Sequence, residues 1–484
     1  MKKQVKIIFY IGILLTSIIF SRNATSNEGV NLPDISDPSS KYMSISQEKK
    51  LGKIIHAEVL GKLNVIHDPL INTYINNLGA RMVSHLANNK MNYKFILVKD
   101  RGINAFAAPG GVIVLNSGLI ENAKNESEFA SVVAHEIAHI NARHLSRMYA
   151  ENSEFSFTQL ISIVGTILAA IYDKDNIGNS FFLGKVAETQ ENINYIRKRE
   201  SDADRIAVHI LARSGINPLS MVSFLQNLTN KNDNEIIEYL KTHPIAANRI
   251  NNVESLASQY KGEYAVDSFA YQILKSRIMH YYTPSYIKNE NKKIDKDNLF
   301  LFVIYAYSKS LHLIEKQEYS KSIKLIDEAI ELLKNNHKLH NIELYFKLIK
   351  CEAYYYKKEY VKAEEILENL IKIYPDDEAI IFYLSETKYK LKKYNEVIEK
   401  LIPLLMQDKK YNYLKVISKS AYKANKKSLG HEYKAELLQY IGNYTESIKF
   451  YELAKAHNMK GYMVDKRIDA KIAKVKKILN EESF

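Results

Sequence analysis

Residues 125–147 read NESEFASVVAHEIAHINARHLSR, and their pattern decides what kind of fold surrounds them. Asn125 has the short acceptor side chain that caps a helix start, and Glu128, three positions on, is placed to return a bond to the Asn125 backbone. Small and apolar residues follow, so the spacing predicts a helix from about Asn125 through Arg147. On it, His135-Glu136-Ile137-Ala138-His139 sets two imidazoles about 40° apart around the axis, where both can reach one ion. Glu136 lies beside them. A hydrolytic zinc site takes about three protein ligands and keeps a further position for water, so two histidines leave the set one short.

The missing ligand is sought downstream. A second helix is expected over Ala187–Ser214, closed by Gly215 and followed by Pro218. It carries Glu200, 61 residues past His139, and a carboxylate on such a second, antiparallel helix can complete a His, His, Glu set. Asp204 follows one turn later on the same face, where it can hold a ligating histidine's free N–H or a water molecule. Glu188, Glu191 and Asp202 are rivals on the same element, but only Glu200 with Asp204 gives the E-x-x-x-D spacing. His144 falls about 140° around the helix from His139 and is not expected to be a ligand.

Upstream, apolar residues at helical spacing run from Glu48 to about Leu86, including Leu51, Ile54, Ile55 and Val59. Short strands are expected at Tyr93–Val98, Asn104–Ala107 and Val112–Leu115, the last two joined by the turn Pro109-Gly110-Gly111. Asn104–Ala107 reads either as an ordinary structural hairpin strand or as an edge that takes substrate in extended form. The expected class is therefore α+β, mainly helical around a small sheet.

Composition bounds the rest. The chain has 484 residues, 46% apolar and 25% charged, with one cysteine, Cys351, which excludes disorder, collagen and a disulfide scaffold. Lys2, Lys3 and Lys6 precede the apolar stretch Ile7–Phe20 and then Ala24-Thr25-Ser26. This pattern predicts a secretory signal peptide, residues 1–26, cleaved near Ser26, and the 14-residue apolar stretch falls short of the roughly 20 residues of a membrane span. No cysteine lies near the cleavage site, so a lipoprotein anchor is excluded. Residues 27–255 are net −1 and residues 256–484 net +10. No basic stripe is interleaved with stacking aromatics, and nucleic acid is not an expected partner. Phe155–Tyr172 is unusually apolar and lies between the second and third candidate ligands; it reads as a lid helix over the cleft or as a peripheral membrane contact in preference to a span.

Beyond residue 300, Glu318-Tyr319, Glu359-Tyr360, Lys393-Tyr394 and Asn443-Tyr444 each open a helix, at spacings of 41, 34 and 50 residues. In the second unit Tyr360 is followed by Ala363, Leu367, Leu370 and Pro375. A small residue at +3 lets paired helices approach closely. The pattern resembles tetratricopeptide repeats, whose period is about 34 residues, with an irregular or weakly matching unit inside the longest gap. The expected organisation is a metallopeptidase domain at 27–255, a helical linker at 256–297 and an all-α solenoid at 298–484.

Four ordered pieces, Asn104-Ala105-Phe106-Ala107 with Pro109-Gly110-Gly111, the His135–His139 motif, Glu200 to Asp204, and His243-Pro244 followed by Arg249-Ile250, resemble zinc peptidases of the gluzincin type related to HtpX and the CAAX-prenyl proteases. That resemblance covers residues 46–255 and implies one zinc ion per chain on His135, His139 and Glu200, with Glu136 as general base and Asp204 as a supporting acid. His243 and Arg249 are placed to stabilise a tetrahedral oxyanion; the other reading of His243 is a latch that fills zinc's open position and must leave before water binds. Taken with the export signal and repeat tail, the resemblance implies a periplasmic endopeptidase acting on misassembled envelope proteins, with the solenoid binding partners in outer-membrane assembly. Two alternatives are a periplasmic chaperone or scaffold with a latched or dormant site, and an integral membrane protease.

Overall fold

The computed structural model describes residues 43–86, 89–151, 190–229, 239, 242–245, 248–265, 267–282, 298–334, 340–458 and 461–482. The expected signal peptide, the apolar segment Phe155–Tyr172 and residues 283–297 of the expected linker lie outside them. Among the described residues no helix is long and apolar enough to cross a membrane.

Two helices open this part of the chain, α1 (Ile45–Lys62) and α2 (Pro69–Val83). Ser44 caps α1 through a full capping box with Gln47, and Asp68 caps α2 by accepting from the Leu70 and Ile71 amides, with Pro69 at the first helical position. Then come β1 (Lys94–Val98), β2 (Ala105–Ala108) and β3 (Val112–Asn116) in the order β1-β3-β2, with β1 parallel to β3 and β2 antiparallel to it. All three strands agree with the sequence to within one residue at each end. Gly110, at φ +79°, turns the β2–β3 hairpin, and it can sit against α1 only because residue 52 is also glycine: a Cβ there would lie 2.7 Å from the Gly110 Cα.

After α3 (Ser117–Asn122), the helix that decided the sequence reading, α4, spans Glu126–Asn141. Asn125 caps it by accepting from the Glu128 amide, whereas the Glu128 carboxylate accepts from Lys124 N–H and not from Asn125. The helix does not run through Arg147 as expected. Arg143 takes φ +52° and breaks it, because its guanidinium is held by Glu48 at 2.9 Å and donates to the Met43 carbonyl at 2.7 Å. A new helix, α5 (His144–Glu151), starts at once. The second expected helix is α6 (Gln190–Arg213), and α7 (Ser220–Thr229) and α8 (Arg249–Ala257) complete this region. Ala134 and Ala138 of α4 and Ala203 and Ala207 of α6 are all fully buried in one core with Phe129, Val133, Ile137 and Leu211. Small residues at the crossing let the two backbones approach closely.

The C-terminal half is a series of paired helices with the recurrence expected of repeats. α9 (Phe269–Tyr282) leads into α10 (Leu299–Glu315), α11 (Tyr319–Lys334), α12 (His340–Tyr356), α13 (Tyr360–Ile373), α14 (Glu378–Lys390), α15 (Tyr394–Gln407), α16 (Tyr411–Lys423), α17 (Lys427–Tyr440), α18 (Tyr444–Ala456) and α19 (Tyr462–Glu482). Gln317, Lys358, Lys392, Asn425 and Gly442 all have φ between +60° and +74°, each two residues before a helix start. Across the hairpins a small residue on one helix bonds the backbone of another twelve positions away: Ser322 to Ser310, Cys351 to Ala363, Ser418 to Gly430 and Ser447 to Ala435. Helix α17 takes part in two such pairs, one through Gly430 and one through Ala435. The 50-residue gap in the sequence pattern therefore contains an overlap, in which one helix closes one hairpin and opens the next. Lys427 stands where the other units have tyrosine, so the pattern skipped it.

Helix α9 belongs to both halves: Tyr271, Leu274 and Ile278 lie in the core of the α4–α6 region, while Ile273 packs with α10 and α11. Its Arg277 is buried and donates to Asp68 at the start of α2 (2.6 Å) and to Glu352 of α12 (2.6 and 3.1 Å), while Tyr383 of α14 also bonds Glu352. Removing one member of such a group strands the others in a dry interior. Arg277→Ala is expected to destabilise the chain by about 3–5 kcal/mol, read as a lowered urea midpoint. Nearby, His67 stacks on Tyr411 at 3.7 Å between centroids, and burial, then the charge of Lys415, lower its pKa to about 4. A base whose folded pKa is depressed takes up a proton more readily when unfolded, so its contribution is present at neutral pH and lost as pH falls from about 6.5 towards 4. Acidification from pH 7 to 5 is expected to lower the melting temperature less in His67→Phe than in the unaltered chain.

Candidate metal centre

The antiparallel packing of α4 on α6 places His135 opposite Asp204 and His139 opposite Glu200. His135 Nε2 lies 3.0 Å from His139 Nε2 and 3.3 Å from Glu200 Oε2, and His139 Nε2 lies 3.3 Å from Glu200 Oε1. His243, carried on the segment before Pro244, brings Nδ1 to 3.2 Å from both His135 Nε2 and Glu200 Oε2. These four residues form a buried group able to hold a metal ion, all their ligand atoms lying within 4.8 Å of one another. A tetrahedral ion with ligands at about 2.0–2.1 Å separates its ligand atoms by about 3.3 Å. These spacings of 3.0–3.3 Å are close to those edges, with His139 meeting one Glu200 oxygen and His135 and His243 the other, so the donor set fits a divalent metal.

Burial works against charge on all of these groups, and the outcome differs by neighbour. His243 and hydrogen bonds from His135 and His139 overcome burial at Glu200 and hold its carboxylate well below the ordinary range. At His135 burial is outweighed by Asp204, 3.0 Å from Nδ1, and by Glu200, which together raise the imidazole to about 9. His139 is lowered to about 3 by burial and by the charge of His135. Burial dominates at Glu136 and pushes its carboxyl up; both its oxygens are buried with no hydrogen bond of normal geometry, and one faces His243 Nε2 at 3.3 Å. An orphaned carboxylate beside a donor cluster is costly as structure and is what a proton acceptor requires.

Asp204 sits one shell out. Arg249 Nε donates to Asp204 Oδ2 at 2.8 Å and Nη2 to Oδ1 at 2.9 Å, while Nη1 lies 3.0 Å from Glu200 Oε2 and donates to the Pro244 carbonyl at 3.2 Å. Its donors are thus engaged with the carboxylates of α6 and with the segment that carries His243. Of the rival acids, Asp202 is half-buried beside Arg205 and outside the donor group, while Glu188 and the side chain of Glu191 lie outside what the structure describes.

Two contributors were not read from the sequence. The break at Arg143 swings His144 back over the site, so that its Nδ1 lies 3.0 Å from His139 Nδ1; an unbroken helix would have turned it away. Tyr239, buried one turn before His243, packs its ring 4.9 Å from that imidazole. The sequence reading set His144 outside the ligand set, and it lies outside the donor group; its approach to His139, like that of Tyr239 to His243, comes from turn or loop geometry that periodicity does not carry.

Comparison with known proteins agrees with the motifs. Residues 69–257 match Peptidase family M48. The putative beta-barrel assembly-enhancing protease of Vibrio cholerae is 31% identical over 320 residues, 64% of this chain and 66% of that protein. The beta-barrel assembly-enhancing protease of Escherichia coli K12 is 31% identical over 313 residues, 63% of this chain and 64% of that protein. The mitochondrial metalloendopeptidase OMA1 of Arabidopsis thaliana is 29% identical over 166 residues, 34% of this chain and 31% of that one. The match thus spans just under two thirds of the length of the first two relatives. With a His, Glu, His motif and a distant carboxylate meeting in one buried donor group inside the matched segment, residues 69–257 of this chain form a domain of peptidase family M48.

Proposed function

We propose that this chain is an exported zinc-dependent endopeptidase that cleaves misfolded or misassembled envelope proteins. In this reading residues 27–255 form the catalytic domain, 256–297 link it, and 298–484 form a tetratricopeptide solenoid that recruits clients and the outer-membrane assembly machinery. The reading is supported above all by the convergence of His135, His139 and Glu200 beside the orphaned Glu136 carboxylate. The names of the relatives support the client class, as proteases associated with beta-barrel assembly.

His135, His139 and Glu200 would hold the ion. When bound, zinc supplies a Lewis acid and makes an attacking water acidic enough to ionise near neutral pH. Glu136 takes the water's proton as it attacks the peptide carbonyl and delivers it to the departing amine, a role suited to a carboxyl whose pKa is pushed up. Asp204 fixes the His135 ring through Nδ1, and Arg249 acts as a positioning residue by clamping Asp204. Replacing Glu136 with Gln in the chain from residue 27 onward is expected to retain about one zinc per chain while casein hydrolysis falls by about 10²-fold or more. Undiminished hydrolysis would exclude Glu136 as the base. Loss of hydrolysis with client refolding intact would show that a chaperone activity coexists.

His243 is assigned as a latch. Its Nδ1 occupies the fourth corner of the donor set and its Nε2 faces Glu136, so substrate and water reach the site only after the ring leaves. His243→Ala is expected to raise basal casein hydrolysis; a large loss of turnover would assign His243 to the oxyanion instead.

A further inference from the structure

Away from the metal centre, a cavity of about 200 Å³ lies between the sheet and the helical array, walled by β1, α1 and α2 on one side and by α14, α16 and the segment before α16 on the other. The parallel register with β3, and the Lys94 amide bonded to the Gly111 carbonyl, turn residues 94, 96 and 98 of β1 towards β3, so that 95 and 97 point off the sheet edge. The chain before α2 closes that edge only in part: the Leu97 carbonyl accepts from the Ile66 amide, and the Lys99 amide donates to Asn64. Beyond this, the Leu97 amide and both backbone groups of Phe95 have no partner among the described residues, although both residues are buried. More than nine in ten buried backbone groups in proteins are paired, so an unpaired stretch facing a cavity points to an occupant. The opposite wall is also extended, with Asp408 at φ −144°, ψ +133° and Lys410 at φ −127°, ψ +134°.

We propose that an extended, apolar polypeptide segment enters this cleft and adds as a further strand to the part of the β1 edge that the chain before α2 leaves open. A backbone alone repeats donor and acceptor at strand spacing, and side chains on alternate residues would meet Leu60, Val65, Phe382 and Tyr413. Lys94, Lys409 and Lys410 on the walls are each paired with a carboxylate, those of Asp408, Glu436 and Glu378 in turn, so the charge of the cleft is balanced and its recognition rests on the strand edge and the apolar walls. The strand-edge chemistry stands by itself; that the segment belongs to a client rests on the protease reading.

The test uses the full chain carrying Glu136→Gln, so that nothing is cleaved, and a fluorescein-labelled peptide alternating Val or Ile with Thr, followed by anisotropy. Binding is expected to weaken at least tenfold when the peptide amides that face the edge are N-methylated. A similar loss is expected when Asn76→Trp fills the cleft from α2, with zinc content and thermal melting unchanged. Equal binding of the N-methylated peptide, equal binding by Asn76→Trp, or no binding of the unmodified peptide would overturn the proposal. Casein hydrolysis by the active chain is measured separately. If it is absent while the peptide binds, the protease reading fails and this site remains; if it is present while the peptide does not bind, the reverse holds.

Discussion

Two helices far apart along the chain cross antiparallel with alanines at the contact, and everything at the centre of the molecule depends on that crossing. Ala134, Ala138, Ala203 and Ala207 remove the bulk that would hold α4 and α6 apart. The backbones approach, and the polar side chains one step around each helix must meet. His135, His139, Glu200 and Asp204 are therefore forced into a buried space where none of them would be stable alone. Each compensates another: against burial, His135 first and then the Arg249 guanidinium hold the Asp204 carboxyl below its ordinary range. The donor cluster is thus costly as folding and useful as chemistry, since it presents ligand atoms at the spacing a divalent ion requires.

The same logic of buried charge ties the two halves together. Arg277, on a helix that packs into both cores, joins the cap of α2 to α12 through Asp68 and Glu352. Around it the contacts between halves are aromatic: His67 on Tyr411 and His56 edge-on to Tyr440. Ala57 of α1 packs with Tyr444 and Tyr451. The helical array is consequently seated on the sheet and on α1 and α2, on faces that do not include the donor cluster. A cleft walled by both halves, and not by either alone, follows from that seating.

Much of this was legible beforehand because helical and strand periodicities are local. The strands, the cap at Asn125, the end of α6 at Gly215 and the choice of Glu200 over its rivals rest on spacing and side-chain type within a few residues of one another. The helix break at Arg143 was not legible, because its cause is Glu48, 95 residues away. That break decides whether His144 faces solvent or His139. The overlap at α17 was hidden for a related reason: the motif's ring is absent at Lys427, while the hairpin is preserved by Gly430 and Ala435, whose small size matters only against a partner helix.

By itself, then, the sequence determined the strands, the spans of the two ligand-bearing helices apart from the break at Arg143, and which residues could ligate a metal, since each follows from covalent geometry and from side-chain chemistry at short range; the kind of peptidase came from the likeness of four ordered motifs to a known family. Tertiary structure alone decided that His243 sits as a fourth donor, that Arg249 clamps Asp204, and that the chain before α2 closes the edge of β1 only in part among the described residues. Those are outcomes of packing between distant segments, where burial strips water from polar groups and leaves them only the partners that the fold brings within reach.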